Sequence, residues 1–239
     1  MTKEFRLPPF DLRLAMDTLA AKDPRLASLI KETEEFRIEI DGSDNPYEIL
    51  LEAIAYQSIS GKAAATIFGR IKALSPTGGI PGPEEMLKLK KPALRRAGLS
   101  GAKVLAMKDL AQKTIDGIVP TLEQAEKLSD EELVERLVSV RGIGAWTVEM
   151  FLIFRLGRPD VLPIHDLGVK KGWSITYGKK YMPKPKELLA FGERWRPYRT
   201  IASWYMWRAC QRAGNAAMRK IRPAKVRKRP RTVPHRQGK

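Results

Sequence analysis

The stretch LVERLVSVRGIGAWTVEMFLIFRLGRPDVLPIHDLGVKKG, residues 133–172, decides the fold. Apolar residues at helical spacing stand on both sides of Gly142-Ile143-Gly144, which predicts two helices joined by a tight hairpin. Two glycines one residue apart let the backbone turn sharply and approach another molecule closely. The N–H groups that begin the second helix then point outward and, with Arg141, form a candidate phosphate site. A plain helical corner, with glycines only for tightness, explains the same spacing.

A carboxylate follows this hairpin. Asp166 comes 22 residues after Gly144 and precedes another predicted helix. Because Asp is a favoured N-cap, a purely structural role is one explanation of this residue. The functional explanation is a carboxylate placed beside the hairpin and fixed by its own helix. Asp160 is a rival, but it lies in a turn rich in Gly and Pro, where Asp is common.

The chain around this segment also has the pattern of helices, so an all-α fold is expected. A capping box, Ser129 with Glu132, predicts the start of the first hairpin helix. A weak alternating pattern at Phe36–Ile40 is the one candidate strand. Further helices are expected at 11–21, 24–30, from Pro46, at 63–74, 83–89, 92–97, 100–115 and 145–156, from near Asp166, and at 184–191 and 197–213.

The composition excludes several classes of protein. The chain has 239 residues, and its longest apolar run, Met150–Phe154, is far too short for a membrane helix. A single cysteine, Cys210, allows no internal disulfide, no thiolate-rich zinc site and no cysteine-ligated iron–sulfur cluster. The N-terminus has no apolar signal segment, so an intracellular protein is expected, cytoplasmic (nucleoid-associated) or nuclear and not secreted.

Positive charge is concentrated at the C-terminus. The whole chain has a net charge of +17, and residues 219–239 hold ten Lys/Arg and no Asp/Glu. Three prolines and few apolar residues predict a disordered basic arm. Such an arm gains affinity for any nucleic acid by releasing counterions. A solvated tail without a partner is the alternative.

Four runs of residues together resemble the helix-hairpin-helix superfamily of DNA base-excision glycosylases. Within that superfamily, residues 12–214 resemble the 3-methyladenine DNA glycosylase II family. The resemblance implies a compact two-lobed helical bundle over residues 1–218, with the active-site cleft between the lobes and 219–239 as a tail. The matching runs are Gly142-Ile143-Gly144-Ala145-Trp146-Thr147, Leu-Pro-x-x-Asp-Leu-Gly-Val-x-Lys-Gly at 162–172, Gln57-Ser58-Ile59-Ser60 with Ala63-Ala64, and Trp-x-Pro-Tyr-Arg…Trp at 195–207.

The resemblance also implies roles for individual residues. Asp166 matches the catalytic carboxylate, although His165 stands where the family commonly has an acid. Ordinary core tryptophans and a polar turn between helices are the structural alternatives for the other positions. By the match, the base pocket comprises Trp146, Met150 and Trp207, and the DNA-intercalating wedge comprises Gln57, Ser58 and Ile59. The phosphate-binding hairpin comprises Arg141, Gly142, Ile143 and Gly144. The match also implies that the backbone carbonyls of Val138, Val140 and Gly142 hold a monovalent cation (Na⁺ or K⁺).

The function implied is excision of alkylated purines from double-stranded DNA by a monomeric, monofunctional enzyme that requires no cofactor. Relatives that also cleave the backbone carry a lysine where this chain has Trp146, and an indole cannot form an imine with the sugar. Purines alkylated at N3 or N7 carry positive charge and leave as neutral bases, so one carboxylate can suffice. A non-catalytic helix-hairpin-helix protein that binds DNA is the alternative, and the basic tail alone suggests an RNA-binding module.

Overall fold

Short polar caps and helix-starting prolines divide this chain into many helices. The computed structural model describes residues 5–6, 9–38, 40–41, 45–219 and 221. Within these ranges two short strands, β1 (Phe5–Arg6) and β2 (Ile40–Asp41), pair antiparallel, and a 3₁₀ turn covers Glu193–Trp195. The helices are α1 (Leu12–Lys22), α2 (Pro24–Glu32), α3 (Pro46–Tyr56), α4 (Gly61–Lys72), α5 (Pro83–Lys88), α6 (Lys91–Arg96), α7 (Gly101–Ile115), α8 (Leu122–Lys127), α9 (Asp130–Val138), α10 (Ala145–Phe154), α11 (Leu167–Thr176), α12 (Pro185–Gly192) and α13 (Arg199–Arg219).

The predicted all-α fold is confirmed, and its helices begin where local capping chemistry places them. Ser129 accepts a hydrogen bond from the Glu132 N–H and the Glu132 carboxylate accepts one from the Ser129 N–H, which completes the predicted capping box at α9. Ser60 caps α4 with its side chain alone, so that helix begins at Gly61 rather than at residue 63.

The elements differ from the expectations in three places. The candidate strand at 36–40 is irregular over 36–38 although burial alternates there, with Arg37 exposed between buried Phe36 and Ile38; of the candidate, Ile40 lies in a strand, β2, which is where the pairing with β1 begins. Helix α8 was not expected, although its capping box of Thr121 and Gln124 was visible in the sequence. The last helix begins at Arg199 rather than at residue 197; its expected end near residue 213 agrees with a break at Gly214, where φ is +65°, and a second helical stretch beyond this break reaches Arg219.

The helices share one apolar core. Helices α2 and α13 contact each other and both contact α1 and α11, while α7 contacts α3, α5 and α6, and α9 contacts α10. The tightest approach joins α11 to α13: a Cβ added to Gly172 would lie 1.8 Å from the Met206 carbonyl oxygen. This approach brings the start of α11, and with it Asp166, against α13.

The basic arm expected at 219–239 is described at only two of its residues, 219 and 221. Residues 222–239, most of the expected arm, lie outside the described residues, and the division at residue 218 stays a prediction. Among the described residues no helix combines the length and the apolar character needed to cross a bilayer.

Candidate active site

Asp166 is the N-cap of α11 and accepts three hydrogen bonds. Its Oδ1 accepts from the backbone N–H of Val169 and from the indole Nε1–H of Trp207, both at 2.8 Å. Its Oδ2 accepts from the indole Nε1–H of Trp146, also at 2.8 Å. The capping role is therefore present, and it leaves the carboxylate free to accept from two tryptophans: the helix fixes the carboxylate, and the two indoles orient it.

Two elements deliver these tryptophans to the carboxylate. Trp146 lies in the first turn of α10, directly after the hairpin, and 47% of it is exposed, so it is not a core tryptophan. Trp207 comes from α13 and passes over Gly168, where an added Cβ would lie 2.7 Å from the Trp207 Cδ1 atom. Gly168 thus leaves the space through which the Trp207 indole reaches Asp166.

A cavity of about 760 Å³ opens beside Trp146. Its walls come from the end of α3, the hairpin and one face of α10. Trp146 and Met150, two of the three expected pocket residues, line it, and Trp207 does not. Trp207 instead stacks on Phe154, a lining residue, with ring centroids 5.7 Å apart and planes at 22°. The lining residues are Ile49, Leu50, Ala53, Tyr56, Gln57, Ser58, Gly142, Gly144, Trp146, Thr147, Met150, Phe151, Phe154 and Arg155.

The expected wedge forms the turn between α3 and α4, at the rim of this cavity. Gln57 and Ser58 line the cavity, and Ile59 is 39% exposed beside them. Ser58 has φ of +59°, a left-handed conformation that is uncommon for residues other than glycine. The Gln57 side chain donates a 2.9 Å hydrogen bond from Nε2 to the carbonyl oxygen of Gly142. The structure therefore brings the wedge and the hairpin into direct contact.

The hairpin presents exposed backbone around one buried anchor. Gly142 has φ of +80°, whereas Ile143 is only 5% exposed and its N–H donates to the Val140 carbonyl at 3.0 Å. Gly144 is the N-cap of α10, and because it has no side chain, no side-chain oxygen accepts from the backbone N–H groups in the first turn of that helix. Those groups and the exposed Arg141 leave a place for an anion at the start of α10.

A carboxylate on α7 holds the hairpin from behind. The Asp109 Oδ2 atom accepts a 2.7 Å hydrogen bond from the Arg141 backbone N–H and forms an ion pair with Lys113 at 3.1 Å. Partial burial acts to raise the pKa of Asp109, but the Arg141 N–H and Lys113 outweigh it, so that this pKa is lowered overall. The charged Asp109 carboxylate therefore stabilises the position of the hairpin through the Arg141 N–H.

Sequence reasoning missed a second acid close to Asp166. Glu149 lies one helical turn after Trp146, and its Oε2 atom is buried with no hydrogen-bond partner among the described residues. Burial, and then repulsion from Asp166, raise the pKa of Glu149 to about 7. Spacing three residues after Trp146 was the only available signal, and such spacing is shared by many surface acids.

The rival acid has a structural task. The Asp160 carboxylate forms ion pairs with the guanidinium groups of Arg199, at 2.7 Å, and Arg196, at 2.5 Å. It also accepts a hydrogen bond from the Arg199 backbone N–H at 3.3 Å. These bonds tie the loop before Asp166 to the start of α13. His165, next to Asp166, is exposed.

Comparisons with known proteins agree on one family. Residues 51–197 match the family model described as HhH-GPD superfamily base excision DNA repair protein. The chain is 42% identical over 180 residues to DNA-3-methyladenine glycosylase 1 of Schizosaccharomyces pombe, covering 75% of this chain and 78% of that protein.

Solved structures give the same result. The structure of a Schizosaccharomyces pombe 3-methyladenine DNA glycosylase in complex with abasic DNA is similar, with a TM-score of 0.72 and 39% identity over 82% of this chain and 95% of that one. A DNA-3-methyladenine glycosidase from Bacillus halodurans is similar with a TM-score of 0.76 and 30% identity, covering 92% of this chain and 98% of that one.

Proposed function

Because this chain belongs to the HhH-GPD superfamily of base excision DNA repair proteins, we propose that it is a monofunctional glycosylase that hydrolyses alkylated purines from double-stranded DNA. The substrate class is that of 3-methyladenine and 7-methylguanine. The observation that carries the proposal is the Asp166 carboxylate, held by two indole N–H groups and its own helix beside an aromatic cavity and a glycine hairpin.

The target nucleotide must first leave the base stack, which costs a few kcal/mol. The hairpin and Arg141 bind backbone phosphate, and the wedge residues Gln57, Ser58 and Ile59 fill the gap in the duplex. The contact between Gln57 and Gly142 supports joint action, because it places wedge and hairpin on the same side of the cavity.

The flipped purine then enters the cavity lined by Trp146 and Met150. A purine alkylated at N3 or N7 is a cation, and cations are attracted to the electron-rich faces of aromatic rings. Tyr56, Phe151 and Phe154 add three further rings to the walls. An unmodified neutral purine gains less from these rings, which supports selection of alkylated bases.

Asp166 acts on the sugar as the glycosidic bond lengthens. Positive charge develops on the sugar, and a nearby carboxylate stabilises that charge and orients or deprotonates the attacking water. The alkylated base departs neutral, so no general acid is required. Water adds to the anomeric carbon, its proton is lost, and an abasic site remains.

Absence of strand cleavage is part of the proposal. Trp146 occupies the position after the hairpin at which an imine-forming enzyme needs an amine, and its indole nitrogen is a hydrogen-bond donor to Asp166. The product should therefore be DNA that contains an abasic site and an uncleaved phosphodiester backbone.

We also propose that the hairpin carbonyls bind a monovalent cation. Of the three expected carbonyls, that of Gly142 already accepts from Gln57 and that of Val140 from the Ile143 N–H. Each carbonyl oxygen has a second lone pair, so these residues fit a weakly held Na⁺ or K⁺, which would add positive charge beneath a phosphate. The proposed catalysis does not depend on this ion.

The test is release of free base from methylated duplex DNA by the wild type and by Asp166→Asn. Asn can still cap α11, so we expect an intact fold and a loss of at least about a hundredfold in the release rate. Equal release by both proteins would remove Asp166 from the chemistry. Binding to damaged and undamaged duplex alike without release would mark a non-catalytic DNA-binding protein, and borohydride trapping of a covalent adduct would contradict the monofunctional mechanism.

A further inference from the structure

One face of α7 contacts both the wedge turn and the hairpin. Its first contact is Lys103, whose Nζ donates to the carbonyl oxygens of Ala55 at 2.8 Å and Gln57 at 2.7 Å. These are carbonyls at the end of α3, where backbone acceptors lack helical partners and the helix dipole is negative. An ammonium group is well suited to that position, and it caps α3 immediately before Ser58.

The same bond fixes the backbone of the wedge. Ser58 has φ of +59°, and residues in such conformations keep them only where surrounding structure holds them. The Gln57 carbonyl belongs to the peptide plane that precedes Ser58, and Lys103 holds that carbonyl. Burial lowers the pKa of Lys103 from its usual 10.5. The ammonium is therefore partly removed from solvent, and the two α3 carbonyl oxygens are its hydrogen-bond partners there.

Successive turns of α7 contact the hairpin. Ala106 lies against Gly142, where an added Cβ would be 3.1 Å from the Ala106 Cβ. Asp109 accepts from the Arg141 N–H at 2.7 Å, and Lys113 donates to the Ser139 carbonyl oxygen. The wedge and the hairpin therefore both contact one continuous helix, α7.

We propose that α7 sets the spacing between the wedge and the phosphate-binding hairpin, and that Lys103 is the positioning residue for the wedge. This inference rests on the proposed function. Stacked bases are about 3.4 Å apart, so a displacement of the wedge by a few ångströms relative to the phosphate contacts would direct it to the wrong base step. Lys103 acts through Ser58 and Gln57 and does not need to touch the reacting atoms.

Helix α7 also supplies a matched control. Lys108 donates from Nζ to the carbonyls of Met86 at 3.2 Å and Leu87 at 2.8 Å, at the end of α5. Burial, and then Lys91, lower its pKa as well. Lys103 and Lys108 therefore make the same kind of contact, but only Lys103 caps the helix that leads into the wedge.

The experiment compares Lys103→Met, Lys103→Arg and Lys108→Met with the wild type under single-turnover conditions at saturating enzyme. Two duplexes are used, identical except that a single 7-methylguanine faces cytosine in one and thymine in the other. A mispaired base is more easily unstacked, so it depends less on the wedge. Thermal unfolding of each variant checks the fold.

We expect Lys103→Met to slow base release from the cytosine-paired duplex by about tenfold, and from the mispaired duplex by much less. Lys103→Arg should recover most of the rate because it still donates, and Lys108→Met should match the wild type on both duplexes. If Lys103→Met does not fold, Gln57→Leu, which removes the bond to Gly142, should show the same preference for the mispaired duplex.

Three results would overturn the inference. Lys103→Met could slow both duplexes equally, which would indicate a general structural role. It could leave both rates unchanged, or it could weaken only binding, with a salt slope smaller by about 0.9, which would make Lys103 a phosphate contact. If the wild type itself releases no base from either duplex, the proposed function fails first, and that outcome is separate from these three.

Discussion

Asp166 has different partners on its two oxygens. Oδ1 is bound by α11 through Val169 and by α13 through Trp207, whereas Oδ2 is bound by Trp146, a residue of the cavity wall. Oδ1 is thus the oxygen held by α11 and α13, whereas Oδ2 is linked to the cavity through Trp146, since Asp166 is not itself among the lining residues. Trp207 was expected to contact the base, but its contacts indicate that it orients the carboxylate.

Trp207→Phe separates these two roles. Phenylalanine retains a ring that can stack on Phe154 but loses the bond to Asp166, so we expect kcat to fall about tenfold while KM stays within about twofold. Steady-state excision from methylated duplex measures both constants. A rise in KM at constant kcat would instead make Trp207 part of the base pocket.

Glu149 predicts a pH dependence of stability. Its pKa of about 7 in the folded state lies above the usual 4.5, because burial and then Asp166 disfavour the anion. The folded state carries no penalty from this group well below pH 4.5; the penalty grows as pH rises from about 4.5 to about 7 and stays constant above that. Glu149→Gln should therefore be more stable than the wild type at pH 8, by about 1–2 kcal/mol once solvent screening of this partly exposed group is included.

Chemical denaturation at pH 5 and pH 8 measures this difference. The advantage of Glu149→Gln should be clearly smaller at pH 5, because that pH lies only just above the usual pKa of 4.5, where the penalty has begun to grow. Glu135→Gln, an exposed position on α9, is the control and should follow the wild type at both values of pH. An advantage of equal size at both values would assign the effect to packing rather than to ionisation.

The sequence predicted single residues only where a motif or a local cap marked them. Asp166 was identifiable from its matching run and from its place before a helix. Lys103 was not, because its acceptors are backbone carbonyls 46 and 48 positions earlier, and a carbonyl has no signature in the sequence. Glu149 resembled a surface acid until the packing around it was known.

At the scale of elements, most helix starts were predictable because a cap and its N–H partner lie within three residues, although α8 and the start of α4 were missed despite such caps. The start of α13 was not, because its first residue, Arg199, is placed by Asp160, which is 39 residues away. The contact between wedge and hairpin spans 85 residues and was likewise invisible. Local chemistry thus determined the helices, and distant pairing determined their arrangement around the cavity.

The contact between α11 and α13 gives a prediction at this scale. In Gly172→Ala the added Cβ would meet the Met206 carbonyl at 1.8 Å, so the two helices must separate. We expect a loss of about 3 kcal/mol or more in the free energy of unfolding, hence a melting temperature lower by roughly 6–12 °C. Differential scanning calorimetry measures the change.

Gly69→Ala in α4 is the matched control. Its added Cβ meets nothing within 4 Å, so the better helix propensity of alanine should stabilise the protein by about 0.5–1 kcal/mol. If Gly172→Ala melted at the wild-type temperature, the close approach of α11 to α13 would be wrong, and with it the account of how Trp207 reaches Asp166.

The whole molecule divides its positive charge unequally. Residues 219–239 carry ten of the 44 Lys/Arg, and the first 218 residues keep 34 against 27 acids, a net charge of only +7. The groups proposed for catalysis, Asp166 and the cavity, belong entirely to that nearly balanced part. Affinity for the DNA backbone and chemistry on the base should therefore be separable.

Truncation after Met218 tests this separation. For every phosphate that the shortened chain no longer binds, the slope of log K against log salt should fall by about 0.9, so this chain should bind duplex DNA more weakly at low salt and with a shallower slope. Its single-turnover excision rate at saturating enzyme should stay within about twofold of the wild type, since ΔG‡ depends on groups that remain.

A chain of all 239 residues with its ten tail Lys/Arg replaced by Gln controls for length and should behave like the truncation. An unchanged slope in both variants would mean that the ten charges bind no phosphate, and a lower rate at saturation would place part of the catalytic machinery in the tail.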